Sequence, residues 1–398
     1  MRLRYNFRLY PTPGQRQSLA KALGCARVVF NDGLRVRQDA HAAGLAYLPD
    51  GALLKLVTTE AKRTPERAWL GEVSAVVLQQ AVADLNTAYR NFFNSLTGKR
   101  KGRKVAPPRF RSKKDSGQSI RFTRNARFTI TTSGRLSLPK IGNLQVRWSR
   151  DLPCEPSSVT VTLDPAGRYH ASFVVEVTDQ PLPVSPNEVG VDLGLSRFAA
   201  LSDGRKLNNP RFARTAQKRL ARAQRALSRC QRGSKNRVKA RFKVARAHAK
   251  VRDTRRNWLH QESTRIIRDN QAVYVEDLSV AGLARTRMAR SVHDAGWSMF
   301  VNMLEYKAAR TGRTFARIDR WFPSTRLCSA CGAVGEKKPL NIRSWSCPCG
   351  AVHDRDINAA INILAAGRAD RPTPVELMSA GISVPQSALK QEPAGSAT

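Results

Sequence analysis

Acidic residues are scarce in this chain: its 398 residues hold 30 Asp plus Glu against 69 Lys plus Arg, a formal net charge of +39. Internal ion pairs cannot neutralise such an excess, so a polyanionic partner is expected. Nucleic acid comes first, because each phosphate met by Lys or Arg releases counterions and adds sequence-independent affinity. Long apolar runs are also missing. None approaches the roughly 20 residues that span a bilayer, and the opening MRLRYNFRLY is too polar for a secretory signal. These absences predict a cytoplasmic protein with no membrane role. Cysteine is sparse and unevenly spread: Cys25, Cys154 and Cys230 stand singly, which is no disulfide framework, while the other four fall between positions 328 and 349.

Length favours two or three domains. Residues 1–10 alternate as a half-buried strand does, and PTPGQ then breaks the pattern. Apolar residues at helical spacing continue over 14–44 (Leu19, Leu23, Val28, Val29, Leu34) and over 73–96. At that spacing Tyr89, Phe92 and Phe93 favour core packing over base stacking. Residues 97–117 are Gly, Pro and basic, a loop or a nucleic-acid contact. Short alternating runs at 119–131, 135–148 and 157–177 then predict a small antiparallel sheet or barrel, completed by the first strand. The expected first domain is therefore a β-barrel of residues 1–10 and 97–182, with residues 11–96 as a helical insertion.

The Pro-rich stretch 181–188 marks the main boundary. Two strands over 189–207 lead into a helical region, 211–268. Between Arg205 and Arg256 stand 20 Lys or Arg and one acid, Asp253, so phosphate contact is the expected role of this stretch. A buried-type strand at 272–280, a helix at 294–312, a strand at 314–321 and a helix at 356–367 complete the second domain. The Pro- and Ser-rich tail, 370–398, reads as flexible.

Cys328 and Cys331 form a C-x-x-C knuckle, and after fifteen further residues Cys347 and Cys349 close the set as C-x-C. Gly332 and Gly350 come directly after the two pairs and allow backbone amides to turn toward sulfur. Two such knuckles present four thiolates to a tetrahedral Zn(II), with His353 as a reserve ligand. Because protein fills all four positions, such a zinc is structural. It pins the segment C-terminal to it.

That segment begins with acids. Two-metal phosphodiester cleavage needs carboxylates from several elements gathered on a shared centre. Asp192 and Glu276 each end a hydrophobic strand, and Asp356 stands at a helix start, places from which rigid elements project acids into a cleft. Asp277 competes with Glu276, and Asp354 with Asp356. Asp356 is favoured because Asp-x-Asn would place Asn358 on the first turn and Ile357, Ile361 and Leu364 on the buried helix face. Taken singly, each acid could instead satisfy a turn, pair with an arginine or cap a helix.

Several segments together resemble the TnpB (OrfB) family of transposon-encoded nucleases, related to type V CRISPR effectors. They are Gly-Val-Asp-Leu-Gly at 190–194, Val-Glu-Asp-Leu at 275–278, the two cysteine knuckles, and His-Asp-Arg-Asp-x-Asn-Ala-Ala-x-Asn-Ile at 353–363. Segments at 5–15, 24–34, 78–93 and 107–115 extend the likeness to about 370 residues. The C-x-C knuckle is the one departure. The resemblance implies an α/β multi-domain protein with an RNase H-like, RuvC-type nuclease domain over 183–369 and a zinc ribbon, 325–352, inserted in it. It implies two Mg(II) ions on Asp192, Glu276 and Asp356, with Zn(II) on Cys328, Cys331, Cys347 and Cys349. It further implies a transposon-derived guide RNA and cleavage of double-stranded target DNA beside a short flanking motif. A cut-and-join transposase using the same acids, or a nuclease-inactive RNA-guided repressor, are the alternatives.

Overall fold

The structure, a computed structural model, describes residues 2–115, 117–339 and 341–370; the tail beyond 370 lies outside them. Two compact units are present, residues 1–178 with 230–246, and residues 179–229 with 247 onward. Among the described residues no helix is long and apolar enough to cross a membrane.

The first unit is built on one antiparallel sheet. Its strands are β1 (Arg2–Tyr10), β2 (Gln118–Thr123), β3 (Thr129–Ile130), β4 (Leu136–Leu138), β5 (Gly142–Arg147), β6 (Ser158–Leu163) and β7 (Tyr169–Glu176). They lie in the order β2-β6-β7-β1-β5-β4-β3, with β1 running antiparallel between β7 and β5. The first strand thus completes the sheet, as its alternation predicts. Of the expected sheet or barrel the structure shows an open sheet, because β2 and β3 end the order and do not pair among the described residues. Helices cover one open edge: α1 (Pro13–Ala42) and α3 (Ala75–Leu96), with the short α2 (Asp50–Leu54) between them, bring α1 and α3 against β2. An edge covered by helices needs no strand partner to be protected. Thr12 and Gln15 form a capping box at the start of α1, where the Thr-Pro-Gly turn signal stops the strand. Of the aromatic trio, Tyr89 packs on the core, while Phe93 is exposed and ring-packed with Tyr47 and Tyr89.

The second unit carries a mixed sheet of β8 (Glu188–Leu193), β9 (Arg197–Leu201), β10 (Lys206–Asn208), β11 (Ala272–Glu276) and β12 (Thr314–Ile318), in the order β10-β9-β8-β11-β12. The first three strands form an antiparallel meander, and β11 and β12 run parallel to β8. The basic region folds as α4 (Phe212–Thr215), α5 (Gln217–Ser228) and α6 (Lys235–Asp269), of which residues 235–246 group with the first unit. After β11 come α7 (Val280–Leu283), α8 (Ala289–Ala295) and α9 (Trp297–Arg310). A two-stranded hairpin, β13 (Ser344–Ser346) and β14 (Val352–Asp354), then leads into α10 (Arg355–Ala369).

Strand parity divides this unit into two cores. On β11, Val273 and Val275 join Val189, Val191, Phe300 and Leu304 on one face, while Ala272 and Tyr274 join Ile318 and Ile363 of α10 on the other. A strand buried on both faces reads as a continuous apolar run, which is what residues 272–275 are. Gly190 shares the α10 face with Tyr274. A Cβ at Gly190 would lie 2.1 Å from the Ala360 carbonyl oxygen, and one at Gly367 would lie 2.1 Å from the Tyr274 ring. Two glycines thus let α10 lie flush on the sheet.

Candidate active site

The same parity that buries Tyr274 and Gly190 under α10 sends the next acids there. Val275 of β11 pairs with Val191 of β8, so Glu276 and Asp192 stand one step further along two adjacent parallel strands, both on the α10 face. Asp356 lies in the first turn of α10. The three acids meet electrostatically at Asp192: burial, then the charges of Glu276 and Asp356, push its carboxyl up to about 7, against a smaller opposing effect of Arg355. Burial and the neighbouring Asp277 also raise the pKa of Glu276. In a chain with more than two bases per acid, clustered acids held against their own repulsion are a costly arrangement.

The structure separates each acid from its sequence neighbour. Asp277 is taken by Arg320, whose guanidinium donates to both its carboxylate and its carbonyl oxygen. Asp354 is the N-cap of α10, accepting from the backbone amides of Asp356 and Ile357, both at 3.1 Å, and it pairs with Lys206. Its burial works against ionisation, but those hydrogen bonds outweigh it and leave the carboxyl below the usual range. Asp356 meets Arg343, 3.4 Å away, while the other guanidinium nitrogen of Arg343 donates to Ser196 Oγ at 2.7 Å. Hard oxygen donors on three elements suit Mg(II).

The four cysteines do assemble. Their sulfurs lie within 4.8 Å of one another, with Cys328 to Cys349 at 3.8 Å and Cys331 to Cys347 at 3.7 Å. A tetrahedral centre with metal–sulfur bonds of ~2.3 Å requires a sulfur–sulfur edge of about 3.8 Å. The donor set therefore fits Zn(II). Gly332 and Gly350 take positive φ (75° and 88°), turning each knuckle as their placement predicts. His353 lies against the cluster, its Nε2 3.0 Å from Cys328 Sγ and in hydrogen-bonding contact with that sulfur. Burial opposes ionisation of Cys328, but the amides of Cys331 and Ala330, then His353, overcome it and bring the thiol down to about 5. The basis for favouring Asp356 is corrected. Ile361 is exposed and Ile357 and Leu364 only half-buried; Asn358, Ala359, Ala360, Asn362 and Ile363 form the buried face.

Those asparagines are the functional residues that apolar periodicity misses. Asn358 accepts from Ser329 N (2.9 Å) and donates to Leu327 O (2.8 Å); Asn362 donates to Ser324 O (2.8 Å) and Leu327 O (2.7 Å). They clamp the approach to the first knuckle onto α10. The Asn-x-x-x-Asn spacing, i to i+4 on one helix face, is the signal that could have found them.

Comparison with known proteins matches three separate stretches of the chain. Residues 172–287 match the OrfB_IS605 family model, described as a probable transposase. Residues 297–363 match a Cas12f1-like TNB domain, and residues 1–45 a helix-turn-helix domain of OrfB_IS605 proteins. Here residues 2–42 form a strand and one unbroken helix. A putative RNA-guided DNA endonuclease of Streptomyces pristinaespiralis is 46% identical over 372 residues, 92% of this chain and 89% of that protein. The putative RNA-guided DNA endonuclease InsQ of Escherichia coli K12 is 31% identical, covering 92% of each. Among solved structures, the Cas12f1 chain of a complex with sgRNA and target DNA shares the fold at TM-score 0.53 and 14% identity, covering 87% of this chain and 82% of its own.

Proposed function

Because the chain belongs to the OrfB (TnpB) family of transposon-encoded proteins, with relatives named as RNA-guided DNA endonucleases over nine-tenths of its length, we propose that it is a Mg-dependent, RNA-guided DNA endonuclease. The convergence of Asp192, Glu276 and Asp356 on one face of the second sheet carries the reading. Three antiparallel strands followed by two parallel ones, with acids at the ends of the first and fourth, support an RNase H-like, RuvC-type domain. Its bounds in this reading are 183–369, with the ribbon 325–352 as an insertion.

Asp192, Glu276 and Asp356 would hold two Mg(II) ions, which when bound supply Lewis acidity to the phosphate and an activated water. The protein's own part is placement. Parallel register aligns Asp192 with Glu276, and Gly190 lets α10 bring Asp356 over them. Asp354 caps that helix while Lys206 occupies its second oxygen. Burial pushes Asp192 toward its protonated form, so cation binding and loss of that proton are coupled. Cys328, Cys331, Cys347 and Cys349 would hold a structural Zn(II) that fixes the hairpin leading into Asp354.

Sequence choice in this reading rests on base pairing by a guide RNA derived from the transposon, with the protein contacting backbone and a short motif beside the double-stranded target. The 20 basic residues between Arg205 and Arg256 suit the phosphates of such a duplex. A DNA target places the protein in the cytosol or nucleoid.

The test is to express the chain with the DNA that flanks its gene, sequence the copurifying RNA, and challenge the complex with a plasmid library in Mg(II) and in EDTA. A discrete RNA and Mg-dependent cuts beside one motif, both cuts lost in Asp192→Ala with RNA retained, are expected. Bound RNA without cutting would favour a repressor, and strand transfer without a discrete RNA would favour a transposase; either overturns the reading.

A further inference from the structure

The end of β11 that carries Glu276 opens onto a groove with an unusual rim. A cavity of about 340 Å³ is lined by Glu276, Ser298 and Asn302, and shares Asp277, Arg317 and Arg320 with a second of about 470 Å³ that ends at Trp321. The groove therefore runs from a proposed metal ligand to an indole. Trp321 is 85% exposed, more than any other large hydrophobic side chain among the described residues.

That exposure is not looseness. Ile318, three residues earlier, is buried and pairs in register with Glu276, and Phe322, the next residue, packs on the same core as Tyr274. The Trp321 amide donates to Asp319 Oδ1 at 2.5 Å, and Arg320 holds Asp277 from the same turn. An ordered turn thus holds a large apolar ring in water, at the far end of the groove that reaches Glu276. Leaving an indole exposed forfeits the free energy of its burial, and one ring among Asp319, Arg320 and Asp277 is far too small an apolar patch to dock a protein. A nucleobase needs no more than one ring, since every base has a π face.

We propose that Trp321 is a stacking platform for an unpaired nucleobase of the DNA strand to be cut, seating that strand in the groove that leads to Glu276. The inference rests on the endonuclease reading of the acids, and its test lets the two fail separately.

The full chain with its guide RNA and Mg(II) is given single-stranded substrates in which one abasic residue is moved position by position past the cut. The wild type is expected to lose roughly 5- to 150-fold in kcat/KM at one position, mainly through KM, the range of a single base–aromatic stack. Trp321→Ala should lose a similar factor on the intact strand and show no further loss at that position, and Trp321→Tyr should recover most of it. A Trp321→Ala protein that cuts as fast as wild type, or that keeps the abasic penalty, overturns the proposal. Absence of any wild-type cutting overturns the endonuclease reading instead. Stacking is then read from fluorescence: in metal-free full chain, oligodeoxythymidylate should quench the emission that Trp321→Phe removes, and an abasic oligomer of equal length should not. Equal quenching by both, or none, overturns the platform.

Discussion

Replacing Gly190 by alanine tests how the third acid is positioned, because it touches neither the acid nor its charge. The added Cβ would stand 2.1 Å from the Ala360 carbonyl oxygen and 2.6 Å from the Leu364 nitrogen, where ordinary contact begins at 3.4 Å. Both opposing atoms are backbone, so no side chain can swing away. The helix must retreat by about 1.3 Å or tilt about its contact with Tyr274. Overpacking of this kind costs ~1–3 kcal/mol, which lowers the melting temperature by roughly 2–12 °C for a unit of this size. Displacement of a catalytic group by about 1 Å costs on the order of 100-fold in rate. The assay pairs a melting curve with the cleavage rate at saturating Mg(II). Gly14→Ala, with nothing within 4 Å of its Cβ, serves as the neutral control. If Gly190→Ala melts and cuts within twofold of wild type, close approach of α10 does not position Asp356.

Asp192 predicts a pH dependence with a definite sign. Its folded carboxyl, pushed up to about 7, lies above its unfolded value, so metal-free stability falls as pH rises toward 7. A cation must displace that proton, so the half-saturating Mg(II) concentration for thermal stabilisation should drop by up to about tenfold per unit approaching pH 7 and level off above it; a flat dependence between about pH 6 and 8 would refute this. Asp354→Ala should cost about 1 kcal/mol as a lost cap and keep measurable cutting, whereas Asp356→Ala should abolish cutting and leave the melting temperature nearly unchanged; the reverse ranking would exchange their roles. Asn362→Leu removes two donors from the Ser324 and Leu327 carbonyls and should cost ~1–3 kcal/mol, with zinc loss to a chromophoric chelator faster than in wild type. Unchanged release kinetics would show that the asparagine clamp does not support the ribbon.

How much of the fold and the site is legible in the sequence depends on whether the signal is local. Cysteine spacing is local, and the four sulfurs assemble as their spacing implies. Asp192 and Glu276 are marked by apolar runs that stop at an acid, a one-strand signal, but their adjacency is set by register across β8 and β11, which no single segment contains. The choice between Asp354 and Asp356 turns on capping geometry, legible only once the helix start is fixed. On α10 apolar periodicity misleads: the face against the ribbon approach needs donors and acceptors for loop backbone, so asparagine and alanine are buried while Ile361 is left in solvent. The barrel expectation fails for a similar reason, since alternation announces strands and says nothing of whether the last one meets the first.

The order in which the acids leave the ribosome has its own consequence. Asp192 and Glu276 become neighbours through strand pairing alone, so the basic helices looped out between them can vary in length without moving either acid. Asp356 arrives only with α10, the last described helix. A nascent chain can therefore complete its basic helices before the third acid of the set is made. On the proposed endonuclease reading, synthesis itself would act as a safety catch: the chain would be able to hold nucleic acid before it is able to cut it.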